Sequence, residues 1–274
     1  MSALRGRGED LALLGITGAG LLAFILPVFT GRTFGQTTAL FAALIMASAL
    51  AILGIALQTN RLSTRLLAVL AALVALDATL RLVVVIGLLG FSPIFFLIIV
   101  GGYVFGPGFG FALGALTLVL SAVITAGFGP WLPYQMLASG WVGMGAGYLG
   151  RLRTTGWSML ALAAFGCLAG WGYGLLLDLW EWPFLFGGGA SPISWVPGLT
   201  WGELGRRFGG FYLATSFVYD TFRAIGNVVL IAALGSPVML ALARFRRRFL
   251  VQWTAVEDSR IPAANIAGDV RTPA

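Results

Sequence analysis

The sequence has no lysine and no histidine, and Cys167 is its one cysteine. Without lysine there is no Walker A phosphate-binding loop, so we expect the chain not to hydrolyse ATP on its own. Without histidine there is neither a Ser-His-Asp triad nor a histidine-based metal site. A single cysteine forms no intrachain disulfide and no CxxC motif. These absences exclude several catalytic and metal-binding chemistries. Our leading prediction is a protein that is not an enzyme and that carries no cofactor and no metal.

Charged residues are also scarce, at 10% of the 274 residues, whereas hydrophobic residues make up 59%. An ordinary soluble domain has roughly 25% charged residues. The composition therefore predicts an all-α fold in the form of a polytopic membrane helix bundle. Eight apolar segments recur between residues 11 and 243, and the fourth of them is short for a full membrane span. They cover residues 11–29, 37–58, 66–90, 94–106, 108–127, 134–150, 157–178 and 211–243.

Most arginines in the connections between these segments fall on one side of the membrane when the segments are threaded through it in order. Under the positive-inside rule, this asymmetry predicts that both termini are cytoplasmic. The net charge of +7 raises the possibility of nucleic-acid binding, but its densest cluster, residues 244–248, directly follows an apolar segment. That position suits anionic lipid headgroups, so we expect contact with membrane lipid and not with nucleic acid. The polar stretch 251–274 is predicted to be a disordered cytoplasmic tail.

Two groups of polar side chains interrupt the apolar segments. Asp77 and Arg81 are four residues apart and share one helix face, and Asp220, Arg223 and Asn227 form a later group. A charged side chain costs roughly 3 kcal/mol or more at the centre of a bilayer unless it is paired or faces a polar cavity. Each group is therefore either a structural pair inside the bundle or part of a binding site, and the sequence leaves both open.

Two connections on the predicted outer side are rich in aromatic residues. Trp131, Tyr134 and Gln135 belong to a turn made rigid by two prolines, and an outer loop from residue 178 to 210 includes Asp178 and Trp180. These side chains either bind a ligand or form an interfacial aromatic belt. Their number suits a partly apolar ring system, such as a cobalamin-like or flavin-like compound. The candidate substrate-binding residues are Arg81, Trp131, Tyr134, Gln135, Asp178, Trp180, Arg223 and Asn227.

A resemblance to a known family rests on two motifs in the middle of the chain. Residues 101–116 read GGYVFGPGFGFALGAL, and residues 129–136 read GPWLPYQM. Their order resembles the substrate-binding S component of energy-coupling factor (ECF) vitamin transporters, over about residues 64–250. The resemblance implies a six-helix S-component-like core, residues 61–250. An extra pair of N-terminal transmembrane helices, residues 1–60, would precede that core.

The resemblance also implies a function and partners. An S component captures a vitamin or related micronutrient and is energised by a transmembrane T component and two cytoplasmic ABC ATPases. It would lie in the inner or plasma membrane of a prokaryote as a multi-pass protein. Small residues of its first core helix would contact the T component. The matching AxxxA positions here are Ala68, Ala71, Ala72 and Ala75.

Two other functions stay open at the level of sequence. One is an integral membrane enzyme that uses the carboxylates Asp178, Glu181 and Glu203, which all fall in the predicted outer loop. No metal-ligand spacing accompanies those carboxylates. The other is a stand-alone secondary transporter in which Asp77 and Asp220 carry protons.

Overall fold

The computed structural model describes residues 2–30, 64–84, 92–151, 158–189 and 191–250. Within these ranges the chain is helical, as predicted, with one isolated bridge between Gly187 and Trp195 and no regular strand. The predicted segment 37–58 and the predicted tail 251–274 lie outside the described residues. The helices are α1 (Ser2–Thr30), α2 (Thr64–Val84), α3 (Ile94–Phe105), α4 (Pro107–Thr125), α5 (Leu132–Arg151), α6 (Ser158–Leu185), α7 (Trp201–Thr215) and α8 (Phe217–Leu250).

Three of the described helices are long and apolar enough to cross a membrane, which supports the prediction of a membrane protein. They are the stretches Pro107–Thr125, Met159–Phe184 and Phe217–Arg247. Leu13–Phe29 and Ile94–Phe105 are shorter apolar helices. The division into a six-helix core and two additional helices stays a prediction.

The shortest apolar helix, α3, is the centre of the bundle. Every residue from Ile94 to Val104 is buried, so α3 is apolar on all sides and has no polar face. It contacts α2, α4, α5, α6 and α8. A helix that is hydrophobic all round is expected in such a position. These five helices therefore surround α3.

Glycines bring α3, α4 and α5 into close contact. A β-carbon on Gly102 or on Gly110 would overlap the carbonyl oxygen of Gly143. A β-carbon on Gly114 would overlap the carbonyl of Ser139 in the same way. Small residues at these positions let the helix backbones touch, which is how helices associate in membranes without a hydrophobic driving force.

The predicted outer loop from residue 178 to 210 is wrong at both ends. Helix α6 continues to Leu185, since no glycine follows Asp178 until Gly187, and Pro183 falls only in the last turn. Helix α7 then starts after Thr200, whose side chain forms a capping box with Glu203. The irregular connection is therefore only residues 186–200.

The predicted segment 211–243 is also divided, since α7 ends and α8 begins around Ser216. The hydroxyl of Thr215 donates to the carbonyl oxygen of Phe211 at 2.8 Å, and the Ser216 backbone N–H donates to the Tyr212 carbonyl at 2.9 Å. Hydroxyl side chains that bond to a preceding carbonyl compete with the helix and often bend it. The break turns the Ser216 side chain toward α6.

Candidate functional site

A polar cavity of about 300 Å³ lies at one end of the bundle. Helices α2, α6 and α7 end near the cavity, and α3, α5 and α8 begin near it, so six helices contribute residues. Arg81 is in the last turn of α2, and Asp220 is in the first turn of α8. The lining residues are Arg81, Ser92, Ile94, Phe95, Gln135, Tyr173, Gly174, Leu177, Asp178, Glu181, Thr215, Ser216, Tyr219, Asp220 and Arg223.

An ion pair between Asp220 and Arg223 forms one wall of the cavity. The Arg223 guanidinium also donates to the carbonyl oxygen of Gly170 at 3.3 Å. Its central carbon lies 5.1 Å from the centre of the Tyr173 ring and 6.0 Å from that of Phe95. Cation–π contacts of this length are attractive, more so in a dry environment. Arg223 is therefore held in place by the protein itself.

Asp178 lies on α6, the helix that packs against α8. Its Oδ1 atom accepts a hydrogen bond from the Ser216 hydroxyl at 2.8 Å. Its Oδ2 atom is buried and has no hydrogen-bond partner, and the same is true of Asp220 Oδ2. Asp178 is 4% exposed and Asp220 is 1% exposed. Buried carboxylate oxygens without a donor are costly, so their position on a cavity is significant.

Asp77 and Arg81 share a helix face, yet Asp77 is not part of the cavity. Asp77 is fully buried and accepts a hydrogen bond from the Thr117 hydroxyl of α4 at 3.1 Å. Arg81, one turn further along, lines the cavity. No ion pair joins the two side chains, since Asp77 Oδ1 has no partner in the described part of the chain. Of the two interpretations open at the sequence level, the structural ion pair does not form.

The predicted substrate-binding residues divide into two halves. Arg81, Gln135, Asp178 and Arg223 line the cavity. Trp131, Tyr134, Trp180 and Asn227 do not, and their contact with a ligand stays a prediction.

Each of the second four has another environment. Tyr134 is buried between Phe24 of α1 and Trp180, with ring centres 5.1 Å and 4.6 Å away. Trp131 is 40% exposed and covers Gly129. Asn227 is buried and donates to the carbonyl oxygen of Gly166 at 2.8 Å.

Aromatic residues of α6, of α7 and of the connection between them hold α7 against the bundle. Trp182, Trp195 and Phe211 form a small core of their own. The Trp182 indole N–H donates to the carbonyl of Ile193 at 2.8 Å, and that of Trp195 donates to the carbonyl of Val28 at 3.1 Å. Arg207 donates to the carbonyl of Ser194 at 3.1 Å. These contacts make the region an ordered cap at the end of the bundle that holds the cavity.

Two ionisable side chains of α7 have shifted pKa values. Two hydrogen bonds from Thr200 lower the pKa of the Glu203 carboxyl group. The larger effect comes from the Thr200 hydroxyl and the smaller from its backbone N–H. Burial, followed by the nearby charge of Asp220, raises the pKa of Tyr212 to about 12. Tyr212 is therefore a neutral phenol at physiological pH.

A glycine series on α6 supports the site and was not singled out from the sequence. Gly166, Gly170 and Gly174 recur every four residues and face α8. A β-carbon on Gly170 would overlap the backbone of Ala224, and one on Gly174 would overlap the Asp220 carboxylate. The small-xxx-small spacing was the available signal. Ser216 and Tyr219 were missed because nothing in their local sequence marks them.

The alanines predicted to contact a T component lie on the exposed face of α2, which points away from the bundle. Ala68, Ala71, Ala72 and Ala75 are all exposed, whereas Leu70, Leu73 and Val74 on the opposite face are buried. Their role in docking stays a prediction.

Comparison with known protein families, with characterised proteins and with solved structures finds no match for this chain.

Proposed function

We propose that the chain is the membrane-embedded substrate-binding subunit of an ECF-type importer, and that the cavity at the start of α8 holds its ligand, a vitamin or related micronutrient. The observation that carries the proposal is the gathering of Arg81, Asp178, Asp220 and Arg223 around one cavity in a largely apolar bundle. Charged side chains inside a membrane protein are expensive and usually mark a substrate pathway or a site. The sequence resemblance to S components supplies the class of transporter.

The size of the cavity restricts the ligand. About 300 Å³ is the lower end of the ~300–1,000 Å³ range of small-molecule sites. A cobalamin-like ligand, with a four-pyrrole macrocycle and an attached nucleotide, needs several times that space. The cavity thus favours a compact compound with one ring or a few fused rings.

The same geometry weighs against the two alternatives. A membrane enzyme built on three carboxylates needs them together, but Glu203 is bound to Thr200 in the cap of α7 while Asp178 and Glu181 line the cavity. A proton-driven transporter based on Asp77 and Asp220 needs both on one pathway. Asp77 is instead bonded to Thr117, away from the cavity.

The test is identification of the compound that co-purifies with the full chain, followed by titration of that compound. Arg81→Gln is expected to weaken binding about tenfold or more, because a lost hydrogen bond to a charged group costs roughly 1.5–3 kcal/mol. Arg65→Gln is the matched control, since Arg65 is on the same helix, exposed and outside the cavity.

Uptake into liposomes supplies the second test. We expect ATP-dependent uptake only when a T component and its ATPases are added. The proposal would be wrong if the purified chain alone hydrolysed ATP and accumulated the compound. It would also be wrong if Arg81→Gln, like the control Arg65→Gln, bound the compound as tightly as the wild type does.

A further inference from the structure

The charged side chains on the cavity wall restrict the chemical class of the ligand more closely than the volume of the cavity does. We propose that the ligand carries a positively charged nitrogen group with at least two N–H donors, such as an ammonium or an amidinium, which lies between Asp178 and Asp220. This inference rests on the proposed function, because it takes the cavity as the ligand site.

The first observation is the pair of carboxylate oxygens that have no donor. Asp178 Oδ2 and Asp220 Oδ2 are both buried and unpartnered, and both residues line the same cavity. Each is more than nine-tenths buried. Tyr212 of α7 also interacts with the Asp220 carboxyl group. A nitrogen with several N–H groups in the cavity can donate to one acceptor on each of the two facing helices at once.

The second observation is that the protein's own cations do not serve these oxygens. Arg223 is already bonded to Asp220 Oδ1 and to Gly170 and lies over the Tyr173 ring. The Ser216 hydroxyl has one proton, which it gives to Asp178 Oδ1. Arg81 is the other cation on the cavity wall, against the three carboxyl groups of Asp178, Glu181 and Asp220. Three carboxyl groups therefore share the cavity wall with two guanidinium groups.

The third observation concerns which kind of cation fits. No group of three or more histidine, cysteine, aspartate or glutamate side chains in the described ranges is placed to hold a metal ion. Phe95, Tyr173 and Tyr219 add aromatic surface to the cavity wall. An organic cation with a ring uses both the carboxylates and that surface. Arg81 and Gln135 also line the cavity and are left to bind an acceptor on the other end of the ligand.

The experiment uses the full detergent-solubilised chain and four small probes of nearly equal size. These are benzamidine and benzylamine, which are cations, benzyl alcohol, which is neutral, and benzoate, which is an anion. Binding is followed by displacement of the co-purified compound and by the shift of the thermal midpoint. We expect each cation to bind at least tenfold more tightly than benzyl alcohol and benzoate.

Asp178→Asn is expected to reduce that preference to within about threefold, since an amide offers one acceptor and no charge. Glu181→Gln is a second cavity variant that keeps the Asp178–Ser216 bond and is expected to lower the preference less. Glu203→Gln is the control, because it removes a carboxylate outside the cavity while glutamine still serves in a capping box. It should leave the preference unchanged.

Three results would overturn the inference. Equal or tighter binding of benzoate or benzyl alcohol, lost in Arg81→Gln, would keep the cavity as a ligand site but reverse the ligand class. Saturable binding of Mn²⁺ alone, stronger than that of the probes and lost in Asp178→Asn, would make it an inorganic cation site. Failure of every probe to displace the co-purified compound would refute the cation class, while titration of that compound still decides the proposed function separately.

Discussion

The Asp220 carboxylate is packed directly against the backbone of Gly174, so that a β-carbon on this glycine would occupy the space of the carboxylate oxygens. The same carboxylate is tied to Arg223 on its other side. Gly174 thus fixes the distance between α6 and the first turn of α8, and through it the position of a charged group on the cavity wall. Gly174 therefore belongs to the site, although it has no side chain that could contact a ligand.

Gly174→Ala is therefore expected to push Asp220 away and to disturb its pair with Arg223. We expect a loss of about 1–3 kcal/mol in the free energy of unfolding, typical of overpacking, together with weaker retention of the co-purified compound. Gly172→Ala is the matched control, because Gly172 is on the same helix and a β-carbon there would meet nothing within 4 Å. Thermal midpoints and retained ligand are measured for both. Equal behaviour of the two variants would contradict the close contact.

A comparison of Arg81→Gln with Trp131→Ala determines how far the ligand extends. Arg81 lines the cavity, whereas Trp131 is 40% exposed and outside it. If the ligand is confined to the cavity, Arg81→Gln weakens binding about tenfold or more and Trp131→Ala changes it less than twofold. A comparable loss in both variants, by titration on monodisperse protein, would instead extend the site to the turn before α5.

Asn227 is expected to act on stability and not on ligand binding. Its amide bonds to the Gly166 carbonyl across the α6–α8 contact, one turn or more from the cavity wall. Interhelical hydrogen bonds in membranes average about 0.6 kcal/mol, with a maximum near 1.7 kcal/mol. Asn227→Ala should lower the thermal midpoint and leave the affinity for the co-purified compound within about twofold. A tenfold loss of affinity without a stability change would place Asn227 in the site.

Helical spacing in the sequence predicts part of this arrangement. It places Asp77 and Arg81 on one face of α2 and joins Asp220 with Arg223, and the structure agrees in both cases. It does not predict that Asp77 turns to Thr117, because Thr117 is 40 residues away on another helix. Contacts between helices depend on tertiary packing, which spacing along one helix does not report.

The continuation of α6 shows a second kind of limit. Aromatic and acidic residues from 178 onward resemble a loop in composition, but the stretch has no glycine before Gly187 to end the helix. The capping box of Thr200 and Glu203 was a readable start signal for α7. Because Asp178 and Glu181 lie on this helix, they point at the cavity from a rigid element. The cavity itself lies among the ends of six helices, which no local sequence pattern describes.

The capping box at the start of α7 should make that helix sensitive to acid. The pKa of Glu203 is lowered in the folded state by its bonds from Thr200, so the stability it adds is present at neutral pH. That stability is lost as the pH falls through the ordinary range of a glutamate, about 4.3, and below it. Amide exchange in residues 204–208 of the wild type should therefore be slower than in Glu203→Gln at pH 7 and equal to it near pH 3. A ratio that stays constant over this range would contradict the lowered pKa.

We expect a T component to bind the exposed face of α2 that carries the alanines. Ala71 and Ala72 are exposed there, and small residues permit the close approach by which membrane helices associate. Tryptophan at either position would hold a partner helix away without entering the cavity, so Ala71→Trp should reduce co-purification with a tagged T component while ligand retention stays near that of the wild type. Leu168→Trp is the control, because Leu168 is 67% exposed on α6, a different surface of the bundle. Undiminished co-purification of Ala71→Trp, or an equal decrease in both variants, would mean that the alanine face of α2 is not the docking surface.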